Sequence, residues 1–207
     1  METLGDVEAC LESFGRALEI DPRFHLALLN MATLHDYLDD GPEVYLTLWQ
    51  YLKLKPGDDK AWTQLATRLG YENAYIPALG FATRATNTDP SSFNAWELRG
   101  LLEYEIAKES FLRTGELDEE MIEASRASAG EALLLDPMAF QVYINRAKLE
   151  RQFGDLARAG DNARQAASFA PEDSEVQEEI ARYELMVGNF EQALVAATIA
   201  ADLAPDE

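Results

Sequence analysis

The sequence predicts an all-α fold, a stack of antiparallel two-helix repeats amounting to about five and a half units of 34 residues. Three observations predict it. Six of the eight prolines lie on one grid: Pro22, Pro56 and Pro90 are spaced by 34, as are Pro137, Pro171 and Pro205, and the step from Pro90 to Pro137 is 47, or 34 plus 13. A fixed period of this length is the signature of a repeat architecture. Grid prolines also close stretches of helical composition: SFGRALEIDP, ATRATNTDP, SAGEALLLDP, QAASFAP and TIAADLAP. Proline lacks an N–H and pushes the residue before it out of the α region, so each one ends a helix. Finally, units break near their middles, at Asp39-Asp40-Gly41-Pro42, Gly70 to Asn73, Gly154-Asp155 and Gly188-Asn189, which divides them into two helices.

Taken in order, the chain opens on half a unit (1–22), a second-type helix that ends at Asp21-Pro22. Units 23–56 and 57–90 follow, and Pro42 and Pro77, the two prolines off the grid, fall where a second helix begins, a position that tolerates proline. Unit 91–137 holds the 13-residue insert between its two helices. FNAWELRGLLEYEIAKESFLR runs from Phe93 to Arg113 without a breaker, a helix roughly 30 Å long and about two turns beyond its neighbours. Thr114-Gly115 breaks it, and Glu116, Asp118, Glu119 and Glu120 suit the N-terminus of the helix that follows. The expectation is a helical hairpin projecting from the stack, with a floppy loop as the alternative. Units 138–171 and 172–205 complete the array, so that 1–207 reads as one domain. The last helix, FEQALVAATIAADLA, is polar only at Glu191, Gln192, Thr198 and Asp202, and a helix so apolar is normally covered on several sides. Repeat arrays usually end in a polar cap. Both ends therefore read as unfinished, which implies a segment of something longer or self-association through the ends.

Composition bounds the function. Among 207 residues, 17 Lys+Arg stand against 38 Asp+Glu, for a net charge of −21. Such a chain does not bind nucleic acid or an anionic membrane by bulk electrostatics. A basic protein or peptide is the electrostatically favoured partner. The plainer alternative is solubility, or a salt-adapted source, since only five of the 17 bases are Lys. One cysteine, Cys10, permits neither an internal disulfide nor a Cys-based zinc site. No run of 18 apolar residues exists to insert in a membrane, and METLGDVEAC has neither the basic start nor the apolar stretch of a secretory signal. A cytoplasmic location is the default, with a removed leader or anchor upstream left open.

No catalytic constellation emerges. His-Glu-x-x-His, the phosphate loop, Gly-x-Gly-x-x-Gly and Gly-x-Ser-x-Gly are all absent. Cys10 occupies a small-residue position and is expected in the core, His35 an aromatic position with a packing role, and His25 a surface or cap position. Trp49, Trp62 and Trp96 read as core, and the acids from Glu116 to Glu123 as a solvated helix start that lacks the Asp/Asn ladder of a calcium loop. The expectation is a protein with no enzymatic activity, no cofactor and no metal.

These residues resemble the tetratricopeptide-repeat family, whose pattern is Trp-x2-Leu-Gly-x2-Tyr, Ala-x3-Phe and Pro over 34 residues. Trp62, Leu65, Ala66, Ala78, Ala82, Ala85 and Pro90 fill one unit, and Trp96 and Gly100 open the next. Tyr143, Ala147, Gly154-Asp155, Ala159, Ala166 and Pro171 follow, then Ala181, Gly188-Asn189-Phe190, Ala193, Ala200 and Pro205. Gly5-Asp6, Phe14, Ala17-Leu18 and Pro22 fit the opening half unit. The chain departs from the pattern late in the first helices, where the aromatic position holds His35, Leu69, Glu103, Glu150 and Glu184, and three glutamates there are poor core residues. The resemblance implies a right-handed α-solenoid that binds peptides in a concave groove lined by the first helices. Carried onto this chain, the groove candidates are Leu26, Leu29, Thr33 and Tyr37; Lys60, Thr63, Thr67 and Tyr71; Glu97, Leu101 and Tyr104; Ile144, Lys148 and Arg151; and Glu178, Arg182 and Met186. Asn30, Lys60, Asn145 and Lys148 are fragments of a carboxylate clamp, but they do not recur in adjacent units in the combination a clamp needs. The implied function is a non-enzymatic protein–protein interaction scaffold that holds a partner peptide or helix. The alternatives are an accessory module of a larger enzyme and a chaperone for a basic secreted or assembly subunit.

Overall fold

A computed structural model describes residues 2–204, so the last grid proline, Pro205, lies outside the described residues. Eleven helices and no strand are found among them. They are α1 (Glu2–Ile20), α2 (His25–Tyr37), α3 (Gly41–Leu54), α4 (Asp59–Tyr71), α5 (Tyr75–Thr88), α6 (Phe93–Thr114), α7 (Glu119–Leu135), α8 (Phe140–Phe153), α9 (Leu156–Phe169), α10 (Ser174–Met186) and α11 (Phe190–Leu203).

Pro22, Pro56, Pro90, Pro137 and Pro171 each sit in the link that follows an odd-numbered helix. The aspartates that precede three of them act locally. Asp21, Asp89 and Asp136 accept hydrogen bonds from the backbone N–H groups of Arg23, Ser91 and Met138 at 3.0, 2.9 and 3.0 Å. This aspartate-to-backbone bond two residues on is itself a turn-former. Other aspartates cap helices: Asp58, Asp118, Asp155 and Asp173 accept from Ala61, Met121, Ala157 and Val176 N–H and satisfy otherwise orphaned first-turn donors. Within the hairpins, the α2–α3 and α4–α5 turns use left-handed residues 34 positions apart, Asp39 (φ 55°) and Asn73 (φ 57°). Asp and Asn tolerate that conformation better than other non-glycine residues.

The chain divides into two compact units, Met1–Ala95 and Trp96–Glu207. In the first, Leu28, Val44, Leu48, Trp62 and Leu65 pack with Ala32, Ala61, Ala85 and Ala95 in a buried core cluster. Trp62 and Phe81 stack with centroids 5.7 Å apart, and Trp49 meets both edge-on. The second unit has Ile144, Ala166 and Val176 at the centre of one cluster and Tyr104, Ala107, Ile122 and Leu149 in another. The insert in this unit is helical. α6 has 22 residues and α7 has 17, against 14 in each of α8 and α9. Phe111, in the added length of α6, lies edge-on to Phe153 at 5.6 Å, so the extension is packed and not a loop.

Two expectations change on contact with the structure. Glu103 and Glu150, which the repeat pattern makes poor core residues, are both buried, and so is Glu179. Each is neutralised in place. Glu103 accepts from Ser128 Oγ at 2.6 Å and Arg99 Nε at 2.9 Å, Glu150 takes a two-pronged bond from Arg126, and Glu179 takes one from Arg151. A buried carboxylate is tolerable when paired and hydrogen-bonded. Cys10, expected in the core, is exposed. One flank of α1, with Glu8, Glu12, Ser13, Arg16 and Glu19, is solvated. The exposed flank of α1 is thus mainly polar, whereas α11 exposes Phe190, Leu194, Val195, Ile199 and Leu203.

Candidate functional site

Helix α4 forms one wall of a groove. Lys60, Thr63 and Thr67 are three and four residues apart and so share one helix face. They meet Asp89, Ser91, Ser92, Phe93 and Asn94, from the α5–α6 link and the first turn of α6, across a groove of about 550 Å3. The Thr63 and Thr67 hydroxyls donate to the carbonyls of Asp59 and Thr63 at 2.8 and 2.9 Å, so each oxygen faces a ligand as an acceptor. Lys60 supplies the cation, and Asp59 and Asp89 supply carboxylates. The Ser91 hydroxyl and N–H both bond Asp89 and hold its carboxyl below the ordinary carboxylate range. Gln64 and Asn94 add side-chain amides that both donate and accept. The cleft thus presents both donors and acceptors from its polar side chains. Lys60, Thr63 and Thr67 on the α4 wall are among the groove candidates of the repeat register. The opposite wall is not among them, and its only advance signal is the polar run Ser91-Ser92 after a grid proline.

The other first-unit candidates fall beside the core. Leu29 is packed against it, and the Thr33 hydroxyl donates to Leu29 O at 3.2 Å. Tyr37 and Tyr71, 69% and 80% exposed, occupy equivalent positions at the ends of α2 and α4.

The second unit uses its candidates differently. Ile144 is fully buried and Tyr104 nearly so, its hydroxyl donating to Gln152 at 3.0 Å; both are core. Leu101 packs on the same cluster as Tyr104. Burial, with the nearby charge of Asp136, pushes the Glu97 carboxyl up. Lys148, Arg151 and Arg182 are all paired to carboxylates of α10, respectively Glu175, Glu179 and Glu178. Burial pushes Glu175 up, but the Lys148 ammonium and the Gln141 amide outweigh it and leave its carboxyl below the usual range. Lys148–Glu175 and Arg151–Glu179 thus join α8 to α10, while Arg182–Glu178 lies within α10. Among the described residues no group of three His, Cys, Asp or Glu is placed to hold a metal ion, and no helix is long and apolar enough to cross a membrane.

Comparison with solved structures decides the fold. PilW, described as a widely conserved type IV pilus biogenesis factor, superimposes with a TM-score of 0.77 at 17% identity, over 100% of this chain and 90% of its own. A thermophilic tetratricopeptide-repeat protein of Thermus thermophilus gives 0.71 at 18% identity, over 88% and 93%. The fold is the tetratricopeptide-repeat fold. YrrB, a tetratricopeptide-repeat protein described as having an unusual peptide-binding site, gives 0.66 at 15% identity, over 95% of each chain. No protein-family model matches the sequence, and comparison with curated proteins finds no match. The repeat period, the proline links and the paired helices are therefore those of an all-α solenoid, as the residue pattern implied.

Proposed function

We propose that the chain is a non-enzymatic protein–protein interaction module and that its α4 groove holds an extended segment of a partner protein. The carrying observation is the convergence of Lys60, Thr63 and Thr67 with Asp89–Asn94 on one polar cleft of about 550 Å3. Main-chain amides of an extended peptide need alternating acceptors and donors, which the two threonines, Gln64 and Asn94 supply. YrrB, which shares the fold, is described by a peptide-binding site, and that supports the same use here. The net charge of −21 favours a basic partner and disfavours nucleic acid. Action in the cytoplasm is part of the proposal.

The test begins with peptides selected by display against the whole chain. Lys60→Glu and Thr67→Arg are each expected to weaken a selected peptide by about tenfold or more, with unchanged helix content. Selected peptides that bind both variants as they bind the parent would place recognition elsewhere and sink the proposal.

A further inference from the structure

The last hairpin carries an open copy of a groove that is filled one repeat earlier. Helix α10 seats on α8 and α9 by placing Val176 against Ile144 and Ala166, with Ile180 beside them. Glu175 pairs with Lys148 at the edge of this seat. Tyr183 lies over Gly160 so closely that a β-carbon there would overlap its ring. Advancing the seat by 34 residues turns Ala147, Lys148, Ala163, Ala166 and Ala167 into Ala181, Arg182, Ala197, Ala200 and Ala201. Those five residues line a groove of about 460 Å3 between α10 and α11, and no described residue fills it. Leu194 and Phe190, three and seven residues before Ala197 and so on the same face of α11, are each 70% exposed.

Three differences from the filled seat specify what fits. Glu178, paired to Arg182, lines the groove where the filled seat has Ile144, so its apolar floor is alanine alone. Leu194 stands where the earlier seat has Gly160, so the occupant needs a small residue where α10 carries Tyr183. Between 172 and 204 the chain has eight acids and one base, Arg182, which is already bridged to Glu178. A second copy of this hairpin would set like charges against each other, whereas a basic helix would complement them.

We propose that the α10–α11 groove docks an amphipathic helix of a partner protein, apolar at positions i and i+4, small at i+7, and flanked by lysine or arginine. This surface is independent of the α4 groove.

The experiment is fluorescence anisotropy on the whole chain with a synthetic helical peptide of about 18 residues, a length at which isolated helices are populated. The peptide carries Val at i, Ile at i+4, Ala at i+7 and lysine flanks. Its companions carry glutamate flanks, or Tyr at i+7. The lysine peptide is expected to bind about tenfold or more tighter than either companion, and to weaken as NaCl rises from about 0.05 to about 0.5 M. Ala197→Gln and Leu194→Gln, both at exposed positions, should each weaken it about tenfold with unchanged circular dichroism, while Lys60→Glu leaves it untouched. Equal binding of the lysine and glutamate peptides, no binding, or indifference to both groove variants would overturn the proposal. So would a dimer in light scattering that Ala197→Gln dissolves, because the groove would then belong to a second copy.

Discussion

Two glutamates of the second unit, buried Glu150 and half-buried Glu97, respond to pH with opposite signs, and each sign follows from the surroundings of the side chain. Burial pushes the Glu150 carboxyl up, but the Arg126 guanidinium and the Asp155 N–H outweigh it and hold it below the ordinary range. A carboxyl depressed in the fold contributes stability above its unfolded pKa of about 4.3 and loses it as pH falls through the folded value. Glu97 has no such partner, and burial raises it. Its charge therefore opposes folding at neutral pH, and the opposition fades as pH falls toward its raised value. Denaturant titrations at neutral and mildly acid pH should show Glu97→Gln more stable than the parent at pH 7, with the gap closing on acidification. A gap that widens would contradict the assignment. At Glu150 the partner can be removed instead. Arg126→Ala leaves a buried, unpaired carboxylate and should cost about 3 kcal/mol, whereas Arg126→Met with Glu150→Leu should cost far less, because two matched apolar groups replace two charges. Similar losses in the single and double variants would mean that packing, and not charge, holds this contact.

The helices divide into what a one-dimensional pattern encodes and what it does not. The proline grid and the Asp-Pro turns were legible because each acts on its own neighbours within two residues. The 22-residue α6 was legible because nothing between Phe93 and Arg113 breaks it. The buried glutamates were not, since Glu150 depends on Arg126 from the preceding helix and Arg151 on Glu179 from the next hairpin. The same gap hides the partners of two charged groove candidates: Lys148 and Arg151 pair with Glu175 and Glu179 only once α10 is set beside α8. Ile144 fell on the groove side by register alone, and the docking of α10 makes it core. Gly160 tests how that docking is achieved. Gly160→Leu drives a side chain into the Tyr183 ring and should cost about 2 kcal/mol. Hydrogen exchange should locate the loss in α10 and α11, with α2 to α5 still protected. Uniform loss of protection would show that the two units do not open separately.

For the molecule as a whole, two electrostatic effects respond to salt in opposite directions. The net charge of −21 repels itself, and added salt screens that repulsion beyond a Debye length of about 10 Å at 0.1 M. Ion pairs work the other way, but the pairs that matter here are shielded: the side chains of Glu103, Glu150 and Glu179 are at most 3% exposed. Exposed pairs such as Arg164–Asp161 contribute at most about 1 kcal/mol and usually less. Repulsion is therefore the larger salt-sensitive contribution, and Tm should rise as NaCl goes from about 0.05 to about 0.5 M. A fall would mean that surface ion pairs dominate. The direction also bears on binding. A basic partner should associate more slowly and more weakly over the same range of salt. Stability and affinity would then move oppositely, so a loss of binding at high salt reports screened attraction and not an unfolded scaffold. If both fell together, the acidity would serve the fold and leave the choice of partner to the groove contacts alone.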